Sequence, residues 1–284
     1  MYLKNILVLL IALSFSEIVF AQKDAYKIFE KGGKETSYQK MLKELSSADV
    51  VFIGELHNNP IIHWLQLEIT KDLFKVDSNL VLGAEMFEAD NQIILNEYVA
   101  GLVTEANFKK EAKLWPNYAT DYKPLLDFAK SKKLKFVATN IPRRYASIVF
   151  NKGFEGLNSL SVDAKKSIAP LPIEYDAELS GYKAMMDMGM HGGDNLPKAQ
   201  AIKDATMGYF IAENLNKNKF IHYNGTYHSD DFQGILWYLN KYKPNKKIVT
   251  ISCVEQDNVE KLNDESNNKG NFIIVIPSTM TKTH

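Results

Sequence analysis

Four residues that can exchange protons stand just after apolar runs in this chain of 284 residues. Glu55 and His57 follow the first of these runs, while Glu85 and His228 follow two later ones. Two carboxylates and two imidazoles brought together can act as acid and base on a bound water. Glu55, His57, Glu85 and His228 are therefore the predicted catalytic set if the protein is a hydrolase.

The same residue types can also hold a divalent metal that lowers the pKa of its water. Glu55, His57 and His228 are the predicted ligands, although the spacing signal is weak because no HExxH motif is present. The chain has no GxSxG elbow, no Walker loop and no GxGxxG motif. These absences argue against a serine hydrolase of that type and against nucleotide binding.

Three further residues are expected to support this cluster, namely His63, Asn140 and Arg143. Glu55 and His63 also have plainer alternatives. A carboxylate after an apolar strand needs a partner, so Glu55 could serve as a helix cap or pair with Arg143. His63 could face the site or lie on the surface of its helix.

A second kind of chemistry is indicated by a stretch at 182–193 that is rich in methionine, with one histidine and one tyrosine. Methionine-rich surfaces adapt to flat apolar ligands, and histidine, methionine and tyrosine all serve as haem ligands. The alternative is a helix whose methionines fill a core. The predicted haem contacts are His191, Tyr182, Met190, Met207, Tyr209 and Tyr227.

The elements that must position these residues alternate between strands and helices. Apolar runs rich in β-branched residues predict strands at 50–54, 80–84, 136–139, 220–224, 248–252 and 272–276. Helical spacing predicts helices between them. The pattern is typical of an α/β fold, a mainly parallel sheet covered by helices on both faces, in which ligands bind beyond the carboxyl ends of the strands.

The chain divides into three predicted parts. Residues 1–21 read as a secretory signal peptide, with an apolar run that is short for a membrane span; an uncleaved anchor is the alternative. Residues 22–284 form one α/β domain. Within it, 151–197 is rich in glycine and proline and contains no clear strand, which predicts an inserted helical lid.

Charge and cysteine content exclude other classes of protein. Lysine plus arginine and aspartate plus glutamate are both 34, so no global positive field attracts nucleic acid. The single cysteine, Cys253, cannot form an intrachain disulfide or a multi-cysteine metal site. No cysteine follows the N-terminal apolar run, so the chain has no site for a bacterial lipid anchor there.

Several short motifs, in a fixed order, resemble the ChaN family of haem-binding uptake proteins. They are GELHNNP at 54–60, LGAEMF at 82–87, WPNY at 115–118, ATNIPR at 138–143, DATM at 204–207 and GTYHSD at 225–230. This resemblance implies an α/β domain with a helical lid and haem as the ligand in iron acquisition. It also implies a homodimer that holds paired haems through tyrosine, and an outer-membrane haem uptake machinery as partner.

The same family is similar in fold to erythromycin esterases and Tiki proteases, which place a glutamate and histidines at these strand ends for hydrolysis. By that likeness Glu55, His57, Glu85 and His228 would be the catalytic set of a hydrolase. The sequence therefore predicts an exported haem-binding protein, periplasmic or associated with the outer membrane, with an esterase-like or metalloprotease-like hydrolase as the alternative. Whether the protein is an enzyme stays open at this point.

Overall fold

A computed structural model describes residues 23–187 and 193–284, and within them an eight-stranded sheet forms the centre of the fold. The strands are β1 (Lys27–Glu30), β2 (Glu35–Thr36), β3 (Val50–Glu55), β4 (Leu80–Glu88), β5 (Lys135–Asn140), β6 (Lys219–Gly225), β7 (Ile248–Gln256) and β8 (Phe272–Pro277). Their spatial order is β2-β1-β8-β7-β3-β6-β4-β5. The six strands from β8 to β5 pair in parallel, and β1 and β2 add an antiparallel edge.

Helices cover both faces of this sheet. They are α1 (Tyr38–Ser46), α2 (Pro60–Val76), α3 (Gln92–Val99), α4 (Glu105–Glu111), α5 (Lys123–Lys132), α6 (Arg143–Lys152), α7 (Val162–Lys165), α8 (Ser180–Asp187), α9 (Leu196–Asn214) and α10 (Ile235–Tyr242). One turn of π-helix, Tyr118–Tyr122, precedes α5. The predicted α/β fold with a mainly parallel, doubly covered sheet is confirmed.

The central strand β3 shows why its sequence is a continuous apolar run. Val51 and Ile53 point into the core under α1 and α2, whereas Val50 and Phe52 point into the core under α9 and α10. All six residues of β3 are buried. A strand with helices on both faces has no solvent side, so the usual alternation of apolar and polar residues disappears.

All six predicted strands are present, but the antiparallel β1–β2 edge and two helices were not predicted. The strands β1 and β2 have only four and two residues, too few for a periodic signal. The helix α1 begins at a Ser37 cap, whose hydroxyl accepts from the Lys40 N–H at 3.2 Å. The helix α6 begins at Arg143, directly after the Ile141-Pro142 pair, which predicted only the end of the preceding strand.

The described part of the predicted lid consists of helices and turns. It contains the end of α6, a 3₁₀ segment at Phe154–Ser159, α7 and α8, with no strand among its described residues. The predicted signal peptide, 1–21, lies outside the described residues, and the division of the chain into domain and lid stays a prediction. In the described ranges, no helix combines the length and apolar character needed to cross a membrane.

Candidate functional site

The sheet brings the four predicted catalytic residues together at the carboxyl ends of its parallel strands. Glu55 is the last residue of β3, and Glu85 lies near the end of β4. Both strands pair in parallel with β6, which lies between them and leads directly into the 3₁₀ turn that carries His228. The carboxyl ends of three adjacent parallel strands therefore place these side chains together, as the topology rule predicts.

Glu55 and His57 form the first half of the cluster. His57 Nδ1 lies 2.9 Å from Glu55 Oε1, and the same oxygen accepts the Tyr122 hydroxyl at 2.8 Å. The other oxygen accepts the Gln66 side-chain amide at 2.6 Å. Glu55 is fully buried, and these donors compensate a carboxylate that has left water. Arg143 is not its partner, because that residue is exposed at the start of α6.

The His57 ring lines the cavity at the site, and its second nitrogen, Nε2, lies close to the Gly225 backbone. Its side chain is 41% exposed, and the Trp115 ring meets it edge-on at 5.0 Å. Burial lowers the His57 pKa, but the Glu55 hydrogen bond and the charges of Glu85 and Glu55 outweigh burial and raise it. A carboxylate bonded to Nδ1 fixes the proton on that nitrogen and leaves Nε2 available to a ligand.

The second half of the cluster is a buried chain of three ionisable groups. His228 Nε2 lies 3.2 Å from Glu85 Oε1, and His228 Nδ1 lies 2.5 Å from Asp204 Oδ1. Burial alone would lower the His228 pKa, but the charges of Glu85 and Asp204 raise it to about 10. At neutral pH His228 is therefore an imidazolium between two carboxylates.

The two carboxylates respond differently to this environment. Burial raises the pKa of Glu85, but the positive charges of His228 and His57 and a hydrogen bond from the Gly225 N–H lower it overall. That N–H donates to Glu85 Oε2 at 2.8 Å. Asp204 has a raised pKa because burial outweighs its contact with His228. Glu85 is thus the group that holds the negative charge most firmly.

Neighbouring residues hold both halves of the cluster in place through hydrogen-bond contacts. His63 Nε2 lies 3.0 Å from the His57 carbonyl oxygen, which also accepts the Asn117 amide at 3.0 Å. The structure thus brings His63 into the site, where it contacts the backbone of His57 rather than the opening. On the other half, Tyr182 donates to Asp204 Oδ2 at 2.7 Å, and the Gln200 amide lies 3.0 Å from His228 Nδ1.

Asp204 was not predicted as a site residue, although a signal was present. Gln200 and Asp204 stand four residues apart on α9, so they share one face of that helix. Most neighbours of Asp204 on α9 are small or apolar, and Asp204 itself is buried. A buried polar pair on an apolar helix indicates a partner across the interface, which here is His228.

Other predicted residues lie apart from the cluster. Met207 is completely buried between the sheet and α10, and Tyr209 packs on Tyr242, so neither lies at the opening. Asn140 is buried at the end of β5 with an Oδ1 that has no hydrogen-bond partner among the described residues. Met190 and His191 lie outside the described residues.

Two cavities flank the cluster, and Tyr227 lies between them. A cavity of about 380 Å³ is lined by Glu55, Leu56, His57, Asn58, Gly225, Thr226, Tyr227, His228 and His284. A second cavity of about 340 Å³ lies on the Asp204 side, against α8 and the 230–234 loop. Tyr227 is 41% exposed, and its hydroxyl donates to the Gly181 carbonyl oxygen of α8. His284, to which the sequence assigned no role, lies at the first cavity.

The predicted divalent metal is not supported by this arrangement. Glu55 is engaged with His57 Nδ1, and both nitrogens of His228 face carboxylates. In the part of the chain that the structure describes, no group of three or more His, Cys, Asp or Glu side chains is arranged to hold a metal ion.

The fold and the site define an α/β protein with two glutamate–histidine pairs at the carboxyl ends of its parallel strands. The chain belongs to the family described as "Haem-binding uptake, Tiki superfamily, ChaN", whose model matches residues 41–239. This confirms the family resemblance of the sequence motifs. No curated protein matches the sequence.

Solved structures share this fold. A ChaN of Campylobacter jejuni with cofacially bound haem is 19% identical with a TM-score of 0.68, and the match covers 89% of this chain and 97% of that one. An erythromycin esterase, EreC, is 13% identical with a TM-score of 0.51 over 76% of this chain and 72% of that one. A Bacillus cereus protein is 11% identical with a TM-score of 0.51 over 84% and 90% of the two chains.

Proposed function

We propose that this protein binds haem and serves iron or haem uptake as an exported protein. Membership of a haem-binding uptake family carries the proposal. The ChaN of Campylobacter jejuni, which matches nearly the whole chain, is a protein that binds haem cofacially. By this proposal residues 1–21 direct export, and the mature protein is periplasmic or outer-membrane associated, delivering haem to an uptake machinery there.

The size of the first cavity and part of its lining support this proposal. Ligand sites are mostly apolar clefts of about 300 Å³ or more with a few well-placed polar groups. Leu56, Thr226 and the Tyr227 ring supply contact surface, and His57 supplies an accessible imidazole. Haem bound here would offer iron chemistry, and these side chains would hold its flat face and restrict access of water.

Among the predicted haem contacts that lie in the described ranges, Tyr227 is the one that lines this cavity. Tyr182 is buried and donates to Asp204, so its hydroxyl is already engaged. Tyr227 presents its ring to both cavities. We infer that Tyr227 contacts haem through its ring.

Titration of the purified protein with haem tests this proposal. We expect a saturable Soret band, and about tenfold weaker binding in Tyr227→Ala because a ring contact of about 1.4 kcal/mol is lost. Leu102→Ala is the matched control, because Leu102 is also an exposed apolar residue. Its neighbour Gly101 lines a different cavity, at the start of β5. A wild-type protein that develops no Soret band would contradict the proposal.

We propose hydrolysis as a second candidate function, because both glutamate–histidine pairs are complete. Glu55 orients His57 so that Nε2 can take a proton from water, which is the role of a general base. His228 is held between Glu85 and Asp204 beside the same cavity.

A screen of ester, lactone and peptide substrates tests this candidate. We expect Glu55→Gln and His228→Ala to lower any activity by at least about a hundredfold, the usual contribution of a positioned acid or base. Asp163→Asn, which changes an exposed carboxylate that pairs with Lys166, is the control. Activity that persists unchanged in both site variants would exclude this cluster as its source.

A further inference from the structure

The strongest feature outside the glutamate–histidine cluster lies at the opposite end of the sheet, where the parallel strands begin. Val50 of β3 pairs with Ile248 of β7 on one side and with Phe220 of β6 on the other. Phe220 in turn pairs with Val81 of β4, which pairs with Lys135 of β5. These five strands therefore begin at one level, in a row about 19 Å wide at about 4.8 Å per strand.

Lysines collect along this row, although the chain as a whole has no net charge. Lys133 and Lys135 lie at the start of β5, Lys217 lies just before β6, and Lys247 directly precedes β7. All four are exposed. The Asn79 side-chain amide, just before β4, donates to the Lys217 carbonyl oxygen at 3.0 Å and so joins two strand entries. The positive charges therefore extend from one side of the row to the other.

Two other lysines at this end of the sheet have a structural role. Helices that lead into the strands end here, and a helix C-terminus carries partial negative charge. Lys219 Nζ donates to the Leu45 carbonyl oxygen of α1 at 3.1 Å, and Lys243 Nζ donates to the Ala212 carbonyl oxygen of α9 at 3.0 Å. These two ammonium groups therefore stabilise helix ends.

The exposed lysines differ from these two, because their charges are not used within the fold. Within the described ranges, Lys133, Lys135 and Lys217 form no ion pair, and their ammonium groups donate no hydrogen bond. Asp49 and Asp77, in the entries of β3 and β4, each accept a backbone N–H at 2.9 Å. A row of unpaired ammonium groups creates a local positive potential that attracts an anionic partner.

Two exposed apolar side chains lie at the same end of the sheet. Val76 is the last residue of α2, which leads into β4, and it is 62% exposed. Leu102 is 77% exposed, and its neighbour Gly101 lines a cavity of about 620 Å³ with Lys133 and Lys135. Lysines around exposed apolar side chains suit an anionic membrane, because headgroups attract the ammonium groups and the apolar side chains enter the acyl boundary. A soluble polyanion would leave Val76 and Leu102 in water.

We propose that this amino-end surface, formed by Lys133, Lys135, Lys217, Val76 and Leu102, docks the protein on an anionic lipid membrane. Docking of this kind needs no haem. The six residues of β3 span about 20 Å at about 3.3 Å per residue, and the cluster lies at their far end. A docked protein therefore turns the first cavity away from the membrane, where a ligand in water can reach it.

Co-sedimentation of the full chain with lipid vesicles tests this surface. We expect binding to vesicles that contain phosphatidylglycerol and much weaker binding to phosphatidylcholine alone or in high salt, which screens charge attraction. In Lys133→Glu/Lys135→Glu the affinity should fall at least about 25-fold, because each lysine near an anionic surface contributes about fivefold. Leu102→Ser should lower the affinity about tenfold without a change in charge, because less apolar area is buried.

Arg143→Glu/Lys261→Glu is the matched control, because it changes the net charge equally at exposed residues beyond the carboxyl ends of β5 and β7. The apolar run at 6–15 is the same in every sample, so the two variants differ only in where the charges are reversed. Equal losses in both variants would overturn the proposal, since net charge alone would then decide binding. Equal binding of the wild type to both kinds of vesicle would also overturn it. No haem is added, so this result is independent of the haem titration.

Discussion

Gly225 is the residue at which the backbone of β6 approaches the reactive imidazole. A β-carbon there would lie 2.7 Å from His57 Nε2 and 3.6 Å from Glu85 Oε2. A contact below 3 Å is not tolerated without movement, and here the neighbour is a ring already tied to Glu55. Glycine at 225 thus lets His57 lie over the strand end while the backbone N–H binds Glu85.

Gly225→Ala is expected to displace the His57 ring. Haem affinity should fall about tenfold or more if His57 touches the ligand, while the protein still folds. Gly181→Ala, at the second cavity, is the matched control, since the nearest neighbour of its added carbon would lie at 3.6 Å. Isothermal titration with haem measures the affinity, and circular dichroism shows whether each variant folds. Equal affinities of both variants and wild type would show that the ring position is unimportant.

Asp204 is predicted to set the charge state of His228. With Asp204 and Glu85 on its two sides, His228 has a pKa of about 10 and keeps its proton through neutral pH. In Asp204→Asn one negative charge is gone, so the pKa should fall toward the ordinary value of about 6.5. The imidazole should then lose its proton between about pH 6 and 9, where the wild-type ring stays charged.

Nuclear magnetic resonance of the His228 ring carbon signals measures this titration directly. Asp163→Asn serves as the control, because it removes an equal charge from an exposed position. If the His228 ring of Asp204→Asn stays protonated up to pH 9, the assigned role of this carboxylate is contradicted.

At the scale of elements, the π-helical turn Tyr118–Tyr122 contains two buried tyrosines whose hydroxyl groups differ in their hydrogen bonding. The Tyr122 hydroxyl donates to the buried Glu55 carboxylate at 2.8 Å. The Tyr118 hydroxyl is buried, and no hydrogen-bond partner for it exists among the described residues. The Tyr122 hydroxyl therefore stabilises a buried carboxylate, whereas the Tyr118 hydroxyl makes no hydrogen bond with the described residues.

Tyr122→Phe should destabilise the fold by about 1–3 kcal/mol, because a hydrogen bond to a buried carboxylate is lost. Tyr118→Phe should be close to neutral or slightly stabilising, since it removes a buried, unpaired hydroxyl. Denaturant unfolding of both variants, at the same pH, measures the difference. Losses of the same size in both would mean that the Glu55 contact adds nothing beyond the packing of the ring.

How far these elements could be predicted from sequence depends on the range of the interactions that form them. The six parallel strands were predicted because burial on both faces leaves a continuous apolar run, as in Val50–Glu55. Strand ends then placed Glu55, Glu85 and His228 together. Asp204 and Tyr122 were missed because they reach the site from helices, and only the packing of α9 and of the π-turn against the sheet decides that contact.

At the scale of the whole molecule, the open cavity at the sheet edge is the feature that bears on association. A haem held there would keep part of its face in water, where the apolar area is unfavourable. Met186, on the α8 helix, is 44% exposed, and Tyr227, whose hydroxyl donates to Gly181 of the same helix, is 41% exposed. A second copy of the chain facing this edge would cover both the haem and these side chains, in keeping with the homodimer that the family resemblance implies.

We therefore predict that haem drives dimer formation. Sedimentation at micromolar concentration should give a monomer without haem and a dimer with one haem per chain, because the ligand adds apolar area to the interface. Met186→Lys should weaken the dimer about tenfold by placing a charge in it. Leu102→Lys, which adds the same charge beside Gly101 and the cavity at the start of β5, should not change the dimer. A mass that is the same with and without haem would show that the open face is not an interface between copies.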